Sequence, residues 1–308
     1  MHQIRIATRR SALALWQAEH VAAALRSAHP GSTVTLVPVV TQGDRIQDRP
    51  LAEVGGKGLF IKELEVAIAA GEADIAVHSM KDVPAQLPDG FVIGAVLPRA
   101  DPRDAFVSKH HARLAALPAG ARVGTSSPRR RCILKSARPD LEILDLRGNV
   151  DTRLKRAEQG DFDAIILASA GLLRLGLGAR ITEYLDTDDS LPAVGQGVIG
   201  IECRGEPSLL KLLAVLEHGP TRQALQAERA FAARLGGSCQ SPIAGFATLK
   251  GGQLGLRGLV GAPDGTRIYR GRIEGAAGEA DRLGRTLAEQ LMEAGAAALL
   301  ATLRDADG

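Results

Sequence analysis

Arginine recurs in this sequence where a bound anion would meet it. Arg9 and Ser11 follow the run QIRIAT, and Arg129 and Arg130 follow VGTSSP. Arg147, Asn149 and Arg153 follow LEILDL, and Arg174 follows DAIILASAGLL. Each sits near the carboxyl end of a strand pattern or in the helix pattern beyond it, where open α/β sheets bind ligands. Guanidinium forks fit carboxylates and phosphates, and each charge-assisted bond contributes roughly 1.5–3 kcal/mol. One such arginine is commonplace; five or more describe a ligand with many negative groups. In VGTSSPRRR, proline takes the first helical position and the helix start presents unpaired N–H groups, with hydroxyls adding donors. Arg129 and Arg130 in the first turn oppose the helix dipole, so an anion is expected to complete the arrangement.

HSMKDVP, His78 to Pro84, sets Lys81 and Asp82 directly after the strand pattern DIAVHS. Cations around Asp82 would keep it ionised, suited to steadying positive charge that forms on a ligand. His78 reads as a packed strand residue. VGGKGLF lacks a preceding strand and the spacing of a nucleotide loop, so it reads as a mobile flap carrying Lys57 and Phe60. LGGSCQSPIAG places Cys239 on a loop just after a long helical pattern. The three cysteines, Cys132, Cys203 and Cys239, form no C-x-x-C pair, which argues against a disulfide framework or a zinc site, and no metal is expected. Cys132 and Cys203 read as structural.

The elements that must hold these residues alternate. QIRIAT, VTLVPVV, DIAVHS and FVIGAVL read as strands, with helices over ALALWQAEHVAAALRSA and LFIKELEVAIAAG. DPRDAF is polar and proline-containing and reads as a crossing between domains. The alternation then restarts with ARVGTSS, PRRRCILKSA, LEILDL, NVDTRLKRAEQG and DAIILA. LPAVGQG reads as a second crossing, returning the strand GVIGIECR to the first lobe. Parallel sheets covered on both faces are expected. After Pro220 come a helix, three strand patterns with Gly-rich turns and a final helix from about Glu279 to Leu303. The expected fold is α/β, two lobes with a central cleft plus a small C-terminal α+β domain with a three-stranded antiparallel sheet. The expected domains are residues 1–98 with 197–218, residues 99–196, and residues 219–308.

The chain has 308 residues, 45% of them hydrophobic, and a formal net charge of +3, too weak a field to suggest nucleic-acid binding. It has no run of 18 apolar residues and no apolar signal core at its start, so a cytoplasmic protein is expected, with no membrane partner.

Read in order, RIATRRS, VGGKGLF, HSMKDVP, DPRDAF, VGTSSPRR, LRGNVDTR, LPAVGQG and GGSCQSP resemble the porphobilinogen deaminase (hydroxymethylbilane synthase) family across essentially the whole chain. The resemblance implies two lobes like those of periplasmic binding proteins and a third domain. It implies a transferase of tetrapyrrole biosynthesis that joins four porphobilinogen molecules head to tail with loss of ammonia, water then freeing hydroxymethylbilane. It implies a dipyrromethane cofactor held by a thioether to Cys239. Lys81, Thr125, Ser126, Ser127, Arg129 and Arg130 would hold that cofactor, Arg147 and Arg153 serving both it and the substrate. Arg9, Ser11, Arg174 and, as helpers, Gln17 and Phe60 would bind substrate rings, and Asp82 would be catalytic. A monomer is implied, with possible hand-off of product to uroporphyrinogen-III synthase. The chain departs from the family pattern at Glu53, where many relatives carry lysine, and at Pro128, where leucine is common. The alternative is a two-lobed anion- or solute-binding module without catalysis, which needs neither the loop cysteine nor the aspartate.

Overall fold

The computed structural model describes residues 3–41, 43, 61–236 and 241–306. The chain begins with strand β1 (Gln3–Arg9), helix α1 (Ala12–Ala28), β2 (Thr33–Val39), α2 (Lys62–Ala69), β3 (Ile75–Ser79), a 3₁₀ turn over Met80–Asp82, and β4 (Phe91–Val96). There follow β5 (Asp104–Val107), β6 (Arg122–Gly124), α3 (Pro128–Ala137), β7 (Glu142–Leu144), α4 (Val150–Glu158), β8 (Ala164–Ala168), α5 (Ser169–Arg174) and β9 (Glu183–Leu185). Next come β10 (Ile199–Arg204), α6 (Pro207–Leu213), α7 (Gly219–Leu235), β11 (Ile243–Lys250), β12 (Gln253–Gly261), β13 (Ile268–Ala276), α8 (Ala280–Leu291) and α9 (Ala297–Ala306).

The chain forms two compact units, Met1–Ala100 with Val198–Arg222, and Asp101–Gly197 with Gln223–Gly308. The first is built on a five-stranded sheet of order β2-β1-β3-β10-β4. Alternation along each strand sends side chains to opposite faces. Ile4, Ile6, Ile75 and Val77 therefore pack with Val21 and Leu25 of α1, while Ala7 and Ala76 pack with Leu64 and Ile68 of α2. The second unit holds a five-stranded sheet of order β7-β6-β8-β5-β9 and a three-stranded one, β11-β12-β13. Phe106, Val123 and Ile166 fill one face of the larger sheet, and Ala105, Ile165 and Leu167 the other. The three-stranded sheet is an antiparallel meander covered by Phe231 of α7 and Leu283 and Leu287 of α8.

Three expectations are corrected. The five-stranded sheets are mixed rather than parallel: β10 runs antiparallel to β3 and β4, and β5 antiparallel to β8 and β9. Both reversed strands are the ones entered just after the chain passes from one unit to the other. DPRDAF is not all crossing, because Asp104 through Val107 form β5, with Asp104 and Phe106 fully buried. The final helix is broken at Gly295, whose φ of 117° no helix interior accommodates; a Cβ there would meet the Tyr269 hydroxyl at 2.8 Å.

Candidate functional site

In the first unit the chemistry gathers where β1 and β3 end. Ser11 caps α1, its hydroxyl oxygen accepting from the Ala14 N–H at 3.3 Å, so its own proton is still available to donate. Arg9, the last residue of β1, is half-buried. Gln17 is buried and donates to the Ser79 hydroxyl at 2.8 Å, which ties α1 to the end of β3. The backbone then turns through Met80–Asp82, leaving Asp82 exposed and Lys81 half-buried.

The returning strand β10 grips that turn at every second residue. The Met80 N–H donates to the carbonyl of Val198 at 2.9 Å. Gly200 leaves room for the Met80 side chain, which a Cβ there would overlap. Glu202 is wholly buried and reaches His78 at 2.7 Å. Glu65 on α2 shares this pocket of charge: burial, then the nearby Glu202 carboxylate, push its carboxyl upward. His78 is thus more than strand packing. It joins β3 to β10 just before the turn that carries Asp82.

The second unit repeats the plan with arginine. β6 ends at Gly124 and the loop Thr125–Ser127 leads into α3. Ser126 donates its proton to the carbonyl of Leu146 at 2.9 Å, and Thr125 accepts from the Ser127 N–H at 3.2 Å. Ser127 caps α3 by accepting from the Arg130 N–H at 3.4 Å, and Pro128 takes the first helical position.

Arg129 and Arg130 turn inward rather than to solvent, only 3% and 6% exposed. The anion expected at this helix start is, in large part, supplied by the chain: Asp104 of β5 pairs with Arg129 at 2.9 Å and with Arg130 at 2.7 Å. Ser190 and Gln196 also donate to Asp104, at 2.8 and 3.0 Å. Burial would raise the Asp104 carboxyl, but the two guanidinium groups outweigh it and hold the acid well below the usual carboxylate range. Desolvation lowers Arg129 in turn. Two guanidinium groups against one carboxylate still leave a net positive charge.

Three more arginines lie in the segments that follow this sheet's strands β7 and β8. Arg147 follows β7 and carries a buried Nη1 that finds no hydrogen-bond partner among the described residues; the Nε of Arg129 is in the same state. Asn149 caps α4 through the Thr152 N–H at 2.9 Å, and Arg153 donates from Nε to the Gly148 carbonyl at 2.7 Å. Arg174 closes α5, donating to the carbonyl of Gly197 at 2.8 Å, and burial pulls its pKa down to about 10.

The structure therefore brings Thr125, Ser126, Ser127, Arg129 and Arg130 together in one unit, which also holds Arg147 just after β7, Arg153 in α4 and Arg174 at the end of α5. It places Arg9, Ser11, Gln17, Lys81 and Asp82 in the other. Lys57, Phe60 and Cys239 lie outside the described residues, as does Glu53. Cys132 and Cys203 are buried free thiols that burial pushes up to about 11, poor nucleophiles at neutral pH. Sequence reasoning missed Asp104, Ser190, Gln196 and Glu202. Among the described residues, no helix is long and apolar enough to cross a membrane.

Fold and site define a class: an α/β chain with two five-stranded sheets, one in each unit, each followed at its strand ends by arginine and hydroxyl side chains. The sequence matches the family described as porphobilinogen deaminase, dipyromethane cofactor binding domain, over residues 4–211. It matches porphobilinogen deaminase, C-terminal domain, over residues 223–293. The chain belongs to the porphobilinogen deaminase family, whose name implies transferase activity and whose larger domain binds a dipyrromethane cofactor. Solved structures similar to it include the periplasmic VFT2 domain of Bordetella pertussis BvgS, 16% identical, with 70% of this chain and 86% of that one covered at a TM-score of 0.42. A nutrient binding protein from Burkholderia cenocepacia bound to methionine is 14% identical, covering 69% of this chain and 91% of that one at 0.44. A periplasmic substrate-binding protein of an ABC transporter from Coxiella burnetii is 15% identical, covering 69% and 91% at 0.44.

The residues present fit the cofactor. Dipyrromethane carries acetate and propionate groups, and such acids would satisfy the buried donors of Arg147 and Arg129 that find no partner among the described residues.

Proposed function

We propose that this chain condenses four porphobilinogen molecules, stepwise and head to tail, onto a dipyrromethane held by Cys239, and that water then releases hydroxymethylbilane. The observation that carries this reading is the second unit's arginine centre. It holds net positive charge and unsatisfied buried donors beside an internal carboxylate, as suits a ligand that gains an acetate and a propionate with every ring. In the chain's division of labour, residues 1–98 with 197–218 and residues 99–196 act as the two lobes, and residues 219–308 as the domain that presents Cys239.

Bound dipyrromethane supplies the free ring carbon to which substrate is joined. Lys81, Thr125, Ser126, Ser127, Arg129 and Arg130 hold its acid groups, helped by Arg147 and Arg153. Arg9, Ser11, Gln17 and Arg174 receive the substrate's acids, Phe60 helps to bind its rings, and Lys57 serves as the flap residue. The aminomethyl group of porphobilinogen resembles an alkyl amine and is protonated at neutral pH, so ammonia departs without a separate acid. Its departure leaves a cationic substrate. Asp82, exposed at the end of its turn, is open to that cation, and its carboxylate stabilises the charge until the new carbon–carbon bond forms. Asp82 is also a base suited to taking the ring proton lost afterwards. The enzyme works as a cytoplasmic monomer and passes product to uroporphyrinogen-III synthase.

Asp82→Asn tests the mechanism. Turnover should fall at least about a hundredfold, the lower range for a lost charge-stabilising group, while fold and cofactor content stay unchanged. Rates near wild type would remove Asp82 from the chemistry. A chain that binds porphobilinogen but never releases ammonia, even with cofactor attached, would instead favour the binding-module alternative.

A further inference from the structure

The antiparallel register of β12 and β13 sets Arg257 directly opposite Arg272 and brings Arg270, two residues along, to the same face. Like charges directly opposite one another on a sheet are destabilising unless something counters them. The chain supplies one counter-charge: Asp188 pairs with Arg257, whose other amino group donates to the Thr187 hydroxyl at 2.8 Å. Among the described residues, no carboxylate pairs with Arg270 or Arg272. Exposed arginines elsewhere in this unit do find carboxylates, as Arg234, Arg282 and Arg285 illustrate. What sets Arg270 and Arg272 apart is position: two exposed guanidinium groups without an ion pair stand beside a third on one face of the sheet.

These side chains do not project into open solvent alone. They line an open pocket of about 300 Å³ whose lining also includes Thr187, Asp188 and Leu191. That volume is at the lower end for small-molecule sites. Arg257 also stands over the Phe246 ring at 5.6 Å, which limits where its guanidinium can go. The wall of the pocket is wired to the arginine centre described above. Ser190 donates to Asp104, and the carbonyl of Leu191 accepts from Arg129 at 2.7 Å.

We infer that this pocket is a second anion site, separate from the cofactor and substrate residues, for a compact ligand bearing at least two acidic groups. Two negative groups neutralise Arg270 and Arg272 and relieve the repulsion across the strands. A ligand with one acid fails the condition of charge, and a bulky one fails that of volume. Asp188 is the group such a ligand must share Arg257 with, and its exposed side chain makes that sharing easy. Occupancy bears on the segment that holds Arg129 and Asp104, so the site is placed to report a metabolite's presence to the arginine centre.

The test uses the full-length protein with its cofactor and two probes, inorganic pyrophosphate and tricarballylate, which separate a phosphate source from a carboxylate one. Hydrogen exchange followed by mass spectrometry locates binding, and calorimetry measures it. Expected is slowed exchange over residues 187–191 and 268–273 with at least one probe, together with weaker binding at higher salt. Arg270→Gln with Arg272→Gln should weaken that binding by about tenfold or more for each guanidinium removed. Asp188→Asn should strengthen it severalfold, a sign that a purely structural ion pair does not produce. Protection confined to other segments, or affinity unchanged in both variants, overturns the inference. Neither outcome depends on whether Asp82 or Cys239 acts as proposed.

Discussion

Asp104→Asn is the sharpest perturbation of the arginine centre, because it keeps the side chain's volume and removes only its charge. Asp104 is wholly buried and accepts from Arg129, from Arg130 Nε and Nη2 at 3.0 and 2.7 Å, from Ser190 and from Gln196. The amide offers one acceptor oxygen in place of two and turns donors of its own towards Ser190 and the guanidinium groups. Two buried cations are left without their counter-charge. Removing one partner of a buried pair costs about 3–5 kcal/mol, a large share of the roughly 5–15 kcal/mol that holds a domain together. The pH dependence has a definite sign. Because the folded-state carboxyl is held below its unfolded value, its stabilisation is complete above that unfolded value, about 3.9. It is lost as pH falls through the folded one. The stability gap between wild type and variant should therefore be flat from about pH 5 to 8 and narrow only below about pH 4. Urea unfolding, read by hydrogen exchange at β5 and β8, isolates the unit concerned, since a chain of several units need not unfold in one step. A gap below about 1 kcal/mol, or one that changes between pH 6 and 8, would refute the reasoning.

Other outcomes follow from the same geometry. Gly200→Ala drives a methyl group into the Met80 side chain, so it should cost about 1–3 kcal/mol of stability and displace the turn bearing Asp82. Steady-state kinetics should show kcat reduced by tenfold to on the order of a hundredfold, with KM changed far less; a folded variant with unchanged kcat contradicts this. Arg147→Leu should leave stability within about 0.5 kcal/mol of wild type, because its buried Nη1 finds no hydrogen-bond partner among the described residues. The same variant should bind or retain the acidic cofactor at least about tenfold less well, which cofactor content measured after dialysis will show.

Much of this was legible in the residues, and the illegible part has a common cause. Buried β runs such as DIAVHS and DAIILA announce themselves by composition, and the helices expected over ALALWQAEHVAAALRSA, PRRRCILKSA and NVDTRLKRAEQG form, capped by Ser11, Ser127 and Asn149. Strand direction is not encoded locally. Nothing in IGIECR distinguishes an antiparallel central strand from a parallel one, because both are buried on two faces. Asp104 and Gln196 sit in proline-bearing stretches that read as crossings, yet both are buried. Their partners are distant in sequence, Arg129 lying 25 residues from Asp104 and 67 from Gln196. Glu202 was hidden for the same reason, 124 residues from His78. An acidic residue at the edge of an apolar run, as in DAFV and IGIECR, was the available signal. The break at Gly295 was masked because the apolar pattern continues through AGAAALL on both sides of it.

The central claim is that one sulfur carries the primer on which the product grows. Intact-mass spectrometry of the purified chain beside Cys239→Ser addresses it directly. The account predicts a wild-type mass exceeding the sequence by two linked pyrrole units, and a variant with the bare sequence mass that makes no hydroxymethylbilane. A wild-type chain of bare mass turning over at full rate would contradict it, as would a serine variant that still carries the adduct.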